Sequence, residues 1–374
     1  MNVLHICEYV RGGITTYLDE IVRYQASSPE VGTVSVLMSR FNSDKLAVKG
    51  IPIYYYHYRR NPLFFIPAMV QISHAIQRIQ PDIIHVHSSF AGMFVRSCFL
   101  FKKRRPKIVY CAHGWSFLME TSELKKYFYG MLERLLARET DVIINISHKE
   151  FMGSKKYRLP KDKSLVIPNG VEAHAAQIMP AIDLKLNQDY LNLLFVGRFD
   201  RQKGLDILID YFIHHPKSQA RLYVIGDHVL TSMSMHIPKQ IVWLGWVDHY
   251  LIDSYYACFD AVIIPSRWEG FGMVAVEAMK NKKAVIASNR GALPELVHDG
   301  INGYIFNLNY LHELTVILQM IDKQQLKEMG ERGYQIYQHY FTSDKLNRRI
   351  VAVYEQLMDV AEHQMPTRGV APFV

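Results

Sequence analysis

Residues 269–277 of this 374-residue chain read Glu269-Gly270-Phe271-Gly272-Met273-Val274-Ala275-Val276-Glu277. The two glycines let the backbone bend and come close to a ligand. A helical pattern follows, so the amides of Phe271, Gly272 and Met273 open a helix and are available to anionic or hydroxyl oxygens. The two glutamates bracket the motif. Eight residues at a rise of ~1.5 Å span about 12 Å if helical. Acid/base pairs that cleave glycosidic bonds stand roughly 5–5.5 or 6.5–9.5 Å apart. The spacing favours one ligand lying along the helix N-terminus, with a carboxylate at each end for its hydroxyl groups.

Three further segments carry candidate chemistry. In Gly197-Arg198-Phe199-Asp200-Arg201-Gln202-Lys203-Gly204, Arg198 and Lys203 lie where a strand gives way to a helix. Two cations there suit a diphosphate, although by themselves they also read as surface charges. His113, in Cys111-Ala112-His113-Gly114, ends a strand and is expected to point toward a ligand at the sheet's carboxyl edge; a lone histidine there is otherwise a satisfied core residue. His85 and His87 end another strand. Read as alternating, they are not expected to face the ligand in the same way, and they stand as acceptor-side or supporting groups. Arg11-Gly12-Gly13-Ile14 lies between the first strand and first helix. It is not Gly-x-Gly-x-x-Gly, but its glycines suit close approach to an anion. The chain has no Asp-x-Asp, no P-loop and no Gly-x-Ser-x-Gly.

These segments need a scaffold, and the apolar pattern supplies an α/β one. Strands are expected at 3–7, 34–38, 51–55, 83–87, 107–112 and 142–146, with helices such as 66–79 and 123–138 between them. The rhythm restarts with strand 191–196, helix 204–214, strands 221–225 and 241–244, helix 248–258, strand 261–264, helix 272–280 and strand 284–287. Pro168-Asn169-Gly170 and the weakly patterned stretch after it mark a hinge. The expected organisation is two Rossmann-like domains, 1–172 and 173–342, with a ligand cleft between the carboxyl ends of their sheets. A helix over 343–361 is expected to pack back on the first domain, and 362–374 is a tail.

The formal charge is +8, but residues 1–172 carry +10 (24 Lys+Arg against 14 Asp+Glu) and the rest −2 (19 against 21). The basic half points to an anionic partner or to a plain solvated face. Its basic runs, such as Lys102-Lys103-Arg104-Arg105, belong to no nucleic-acid module. The four cysteines, Cys7, Cys98, Cys111 and Cys258, lack metal-site spacing and read as reduced, mostly buried thiols of a cytosolic protein. The N-terminus reads as a first strand and not as a secretory signal. The apolar stretch 90–101 is broken by Arg96, so no run reaches the ~18 residues of a membrane span.

Taken together, Gly12-Gly13, His113-Gly114, Pro168-Asn169-Gly170-Val171, Gly197-Arg198…Lys203-Gly204 and Glu269-x7-Glu277 resemble glycosyltransferase family 4, retaining enzymes of the GT-B fold, over essentially the whole chain. The resemblance implies that Arg198 and Lys203 bind a donor diphosphate. It implies that Glu277 holds the ribose, and that Glu269 contacts the donor sugar with the amides of Phe271, Gly272 and Met273. It places His113 near the sugar's hydroxymethyl end and Gly13 at the diphosphate, with Arg11 and His87 left on the acceptor side. The expected reaction moves a sugar from a nucleotide diphosphate, UDP by family frequency or GDP, to a hydroxyl of a glycan or lipid-linked acceptor in cell-surface polysaccharide or lipopolysaccharide synthesis. No metal and no cofactor are expected. The basic, aromatic segment 117–138 suits an anionic membrane, so the expected location is the cytoplasmic face of the inner membrane. A sugar-nucleotide epimerase of the same fold and a non-catalytic sugar-nucleotide or polysaccharide binder are the alternatives. Two departures stand out: Gly226-Asp227-His228 where Gly-Asp-Gly is usual, and Glu172 where Asp is usual.

Overall fold

A computed structural model describes residues 1–100, 102, 104–173, 184, 186–226, 237–248 and 251–359. The chain divides into two compact units: Met1–Glu172 with the residues from Ser343, and Ala173–Thr342.

The first unit is a parallel sheet wound in both directions. β1 (Asn2–Cys7) leads through α1 (Gly13–Ser27) to β2 (Thr33–Ser39) and β3 (Ile53–Tyr56) on one side. The chain then returns through α2 (Phe65–Ile79) to β4 (Ile83–His87), α3 (Ser89–Ser97) and β5 (Lys107–Cys111) on the other. It continues through α4 (Glu123–Leu136), β6 (Val142–Asn145), α5 (His148–Lys156) and β7 (Ser164–Val166). The strand order is β3-β2-β1-β4-β5-β6-β7. Winding reverses between β1 and β4, and the carboxyl edge of such a reversal is where α/β sheets bind ligands. The central strands are continuous apolar runs because helices cover both faces. Leu4, Ile6, Ile84, Val86, Ile108 and Tyr110 are all fully buried.

The second unit repeats the scheme. β8 (Leu191–Val196), α6 (Leu205–His214), β9 (Ala220–Ile225) and β10 (Ile241–Gly245) build one side. α7 (Ile252–Cys258), β11 (Ala261–Ile264), α8 (Met273–Lys280), β12 (Ala284–Ser288), α9 (Leu293–Leu296) and β13 (Gly303–Phe306) build the other. The order is β10-β9-β8-β11-β12-β13, so the reversal lies between β8 and β11. α10 (His312–Met320) and α11 (Lys323–Tyr340) follow, and α12 (Ser343–Asp359) belongs to the first unit, where it packs on α1.

The sequence pattern located the strands it named to within two residues at each end. β7 and β13, three and four residues long, are additions to the expected strands. α7 begins at Ile252 and not 248. Within the expected helix 343–361, α12 runs to Asp359; the remainder, the tail 362–374, Lys103, Asp227 and His228 lie outside the described residues. All four cysteines are free; Cys7 and Cys111 are buried, whereas Cys98 and Cys258 are only partly so.

Candidate active site

The second unit brings its two motifs together at the β8/β11 reversal. Residues 197–204 leave β8, residues 265–272 leave β11, and the two loops are stitched to each other. The Arg267 amide donates to the Gln202 carbonyl at 2.8 Å, and the Gln202 side-chain amide donates to the Trp268 carbonyl at 3.2 Å. The Arg267 guanidinium holds Asp206 at the start of α6 through two bonds of 2.8 and 2.6 Å. Glycine is required at the contacts. Gly204 has φ 73°, and a Cβ there would stand 2.2 Å from the Pro265 carbonyl oxygen. A Cβ at Gly291 would stand 2.1 Å from the Glu269 carbonyl oxygen, which accepts the Ala292 amide.

This stitching presses Lys203 onto Glu269. Its Nζ lies 2.5 Å from Glu269 Oε1, which also accepts the Ser266 hydroxyl at 3.0 Å. Both side chains are largely buried, at 19% and 8% exposed. Lys203 and Glu269 therefore form a largely buried ion pair. Arg198 is the outward cation, 64% exposed, with its guanidinium on Asp200 at 3.0 Å and on Gln202 Oε1 at 3.3 Å.

Glu269 and Glu277 have separate surroundings. Phe271 is buried against Phe341 and anchors the turn before α8. The amides of Phe271 and Gly272 take no partner among the described residues, and that of Met273 is the first orphan donor of α8. One turn beyond, Glu277 is half-buried and accepts the Tyr256 hydroxyl at 2.9 Å. The arrangement is a row of donors with a carboxylate at either end.

In the first unit, Arg11 is exposed and Gly13 opens α1. His113 has a left-handed φ of 51° and a ring braced by the edge of Tyr17, with centroids 4.6 Å apart. His85 and His87 correct the reading of alternation. Residues two apart in a strand share a face, and the two rings lie 4.2 Å apart. Both are fully buried. His87 has its nitrogens 2.9 Å from His5 Nδ1 and 2.9 Å from His113 Nε2. It therefore cannot touch an acceptor, and of its two expected roles only the supporting one remains. Burial lowers the pKa of His5 to about 4 and of His113 to about 3, and holds His85 and His87 well below the ordinary histidine range. His5, Gln25 and Tyr354, which complete this cluster, carry no sequence signal distinguishing them from core filler. Glu172, one of the two departures, pairs with Arg23 at 3.4 Å.

Loops suited to phosphate at the reversal of a parallel sheet, in a chain built from two such units, define a GT-B protein. The family profile "Glycosyltransferase Family 4" matches residues 11–175, and "Glycosyl transferases group 1" matches residues 181–335. The chain belongs to this glycosyltransferase family. It is 31% identical over 362 residues to an uncharacterized 41.2 kDa protein in the cps region of Klebsiella pneumoniae, covering 95% of this chain and 99% of that one. It is 26% identical over 286 residues to a UDP-Gal:alpha-D-GlcNAc-diphosphoundecaprenol alpha-1,3-galactosyltransferase of Escherichia coli, covering 71% and 72% of the two chains. Its fold matches that of Anabaena Alr3699/HepE, solved in complex with UDP and glucose, at a TM-score of 0.76 and 20% identity over 95% of this chain and 100% of the other.

Proposed function

We propose that the protein transfers a sugar, with retention of configuration, from a UDP-sugar to a hydroxyl of a glycan or lipid-linked acceptor in surface polysaccharide or lipopolysaccharide synthesis. The observation that carries this is the row of groups at the β8/β11 reversal: Arg198, the Lys203–Glu269 pair, the open amides of α8 and Glu277. Arg198 and Lys203 offset the charge that grows on the departing diphosphate. The α8 amides and its dipole add to this. Glu269 and Glu277 accept hydroxyls from the sugar and the ribose. The leaving diphosphate oxygen takes the acceptor proton as the new bond forms on the same face. UDP is favoured because the Escherichia coli relative and the Anabaena structure are named with it.

With two cations and a helix N-terminus at the diphosphate, no metal is called for. Incubation with UDP-sugars and a diphosphoundecaprenol-linked acceptor is expected to give a product of unchanged anomeric configuration by NMR, at the same rate with EDTA. Inversion would refute retention. Loss of activity in EDTA that Mn²⁺ restores would refute metal independence. An epimer formed without acceptor would point to the alternative enzyme.

The first unit supplies a surface for peripheral contact with an anionic membrane. Leu124, Tyr127, Phe128, Met131 and Leu135 are exposed on α4. Their spacing places them on one stripe, beside exposed Lys125, Arg134 and Arg138. Among the described residues no helix is long and apolar enough to cross a membrane. The protein is expected to sediment with phosphatidylglycerol liposomes at low salt, and Tyr127→Ser with Phe128→Ser is expected to lower the bound fraction severalfold. A protein that stays in the supernatant at low salt would sink this part of the reading.

A further inference from the structure

A line of hydrogen bonds, buried beyond its first link, runs behind the half-buried His113 to α12. His113 Nε2 lies 2.9 Å from His87 Nδ1, and His87 Nε2 lies 2.9 Å from His5 Nδ1. His5 Nε2 lies 2.8 Å from Gln25 Oε1 on α1. The Gln25 amide nitrogen donates to the Tyr354 hydroxyl at 3.3 Å, and that hydroxyl lies 2.6 Å from His85 Nδ1. Ring nitrogens of His5, His85 and His87 come within 4.8 Å of one another. Two of them already stand at hydrogen-bond distance, and no carboxylate or thiolate in that trio would offset a divalent charge, so we read the cluster as a proton-ordered network.

We propose that Gln25, braced by Tyr354, is a positioning residue that fixes which ring nitrogen of His113 carries the proton. A carbonyl oxygen only accepts, so His5 must bring its N–H at Nε2. A neutral imidazole has a single N–H, which leaves His5 Nδ1 bare. It accepts from His87 Nε2–H, whose own Nδ1 accepts from His113 Nε2–H. At the far end Tyr354, having accepted from Gln25, donates to His85 Nδ1. All four rings then carry hydrogen at Nε2, the tautomer free histidine itself prefers. The one orphan is the buried N–H at His85 Nε2, which has no partner. The reverse order, with hydrogen at Nδ1 on all four, needs the Gln25 amide turned over; with its oxygen on His5, the order along His5, His87 and His113 is fixed, and only His85 has a second choice, because the Tyr354 hydroxyl can also accept. Burial keeps the rings neutral at physiological pH, so the order persists there.

His113 Nδ1 is therefore a bare acceptor. This rests on the proposed transfer reaction and on the place the family resemblance gives His113, near the hydroxymethyl end of the transferred sugar: there it recognises a free hydroxyl and disfavours a carboxylate, as in a uronic acid.

The order can be read without any substrate, so its failure is separable from failure of the transfer reaction. In the full chain labelled with ¹⁵N-histidine, long-range ¹H–¹⁵N correlation is expected to show His113, assigned against His113→Asn, as a single Nε2–H tautomer. Gln25→Leu is expected to give a mixture of tautomers at His113, with Gln25→Met as the substitute if leucine does not fold. Hydrogen at Nδ1 in the unaltered protein overturns the proposal, as does a pure Nε2–H form in the folded Gln25 variants.

Discussion

Lys203→Ala is expected to lower turnover about tenfold to a thousandfold, the range seen when a donor that stabilises developing charge is removed. It is also expected to lower stability. Glu269 is 8% exposed, and removal of its cation leaves a buried carboxylate held among the described residues by Ser266 Oγ, at a cost of roughly 3–5 kcal/mol. Arg198→Ala separates the two effects. Arg198 is 64% exposed, so its loss is expected to cut turnover to a similar degree with little change in thermal midpoint. The double variant Lys203→Ala, Glu269→Gln is expected to recover midpoint without recovering turnover. Rates near wild type in both Arg198→Ala and Lys203→Ala would remove the diphosphate role from both residues.

The second large effect is acid sensitivity of the first unit. Burial lowers His5 from 6.5 to about 4 and His113 to about 3, and depresses His85 and His87 as well. The groups that face them are Tyr17, Tyr354, Cys7 and Cys111, each pushed upward by burial and therefore neutral. Below pH ~6.5 the unfolded chain takes up protons at these histidines that the folded chain refuses. Stability is thus complete above pH ~6.5 and falls as pH drops toward the lowered values, by up to about 1.4 kcal/mol per pH unit for each histidine. Urea midpoints of the first unit are expected to fall clearly between pH 7 and pH 5, and His5→Phe is expected to reduce that slope. A midpoint unchanged across this interval would show that the cluster is hydrated or protonated in the folded state.

The sequence made the second unit's site readable because its chemistry sits in two unbroken loops, each following a strong strand. Arg198, Lys203, Glu269 and Glu277 could all be named from spacing. That Lys203 and Glu269 bond to each other could not, because the pairing depends on Gln202 and Arg267 drawing two distant loops together. The first unit hid more. Positions 5, 25, 85, 87 and 354 look like strand and helix interior, and only the sheet register and the packing of α12 on α1 bring them into line. For His85 and His87 the signal was present, since a strand repeats every two residues, and it was misapplied. α11 also carries a signal, the reciprocal Asp322–Gln325 capping box at its start, but none of the expected helices lies there.

α12 has a consequence for how the protein is made. It is encoded after the whole second unit, yet it carries Tyr354 into the first. A ribosome adding roughly 5–20 residues each second needs on the order of ten to forty seconds to travel from Glu172 to Asp359. Throughout that interval the nascent first unit lacks a helix that its sheet was built to receive, and the α1 face waits uncovered. A chain cut short before Ser343 would strand the first unit in that unfinished state, although everything removed is encoded beyond the second unit.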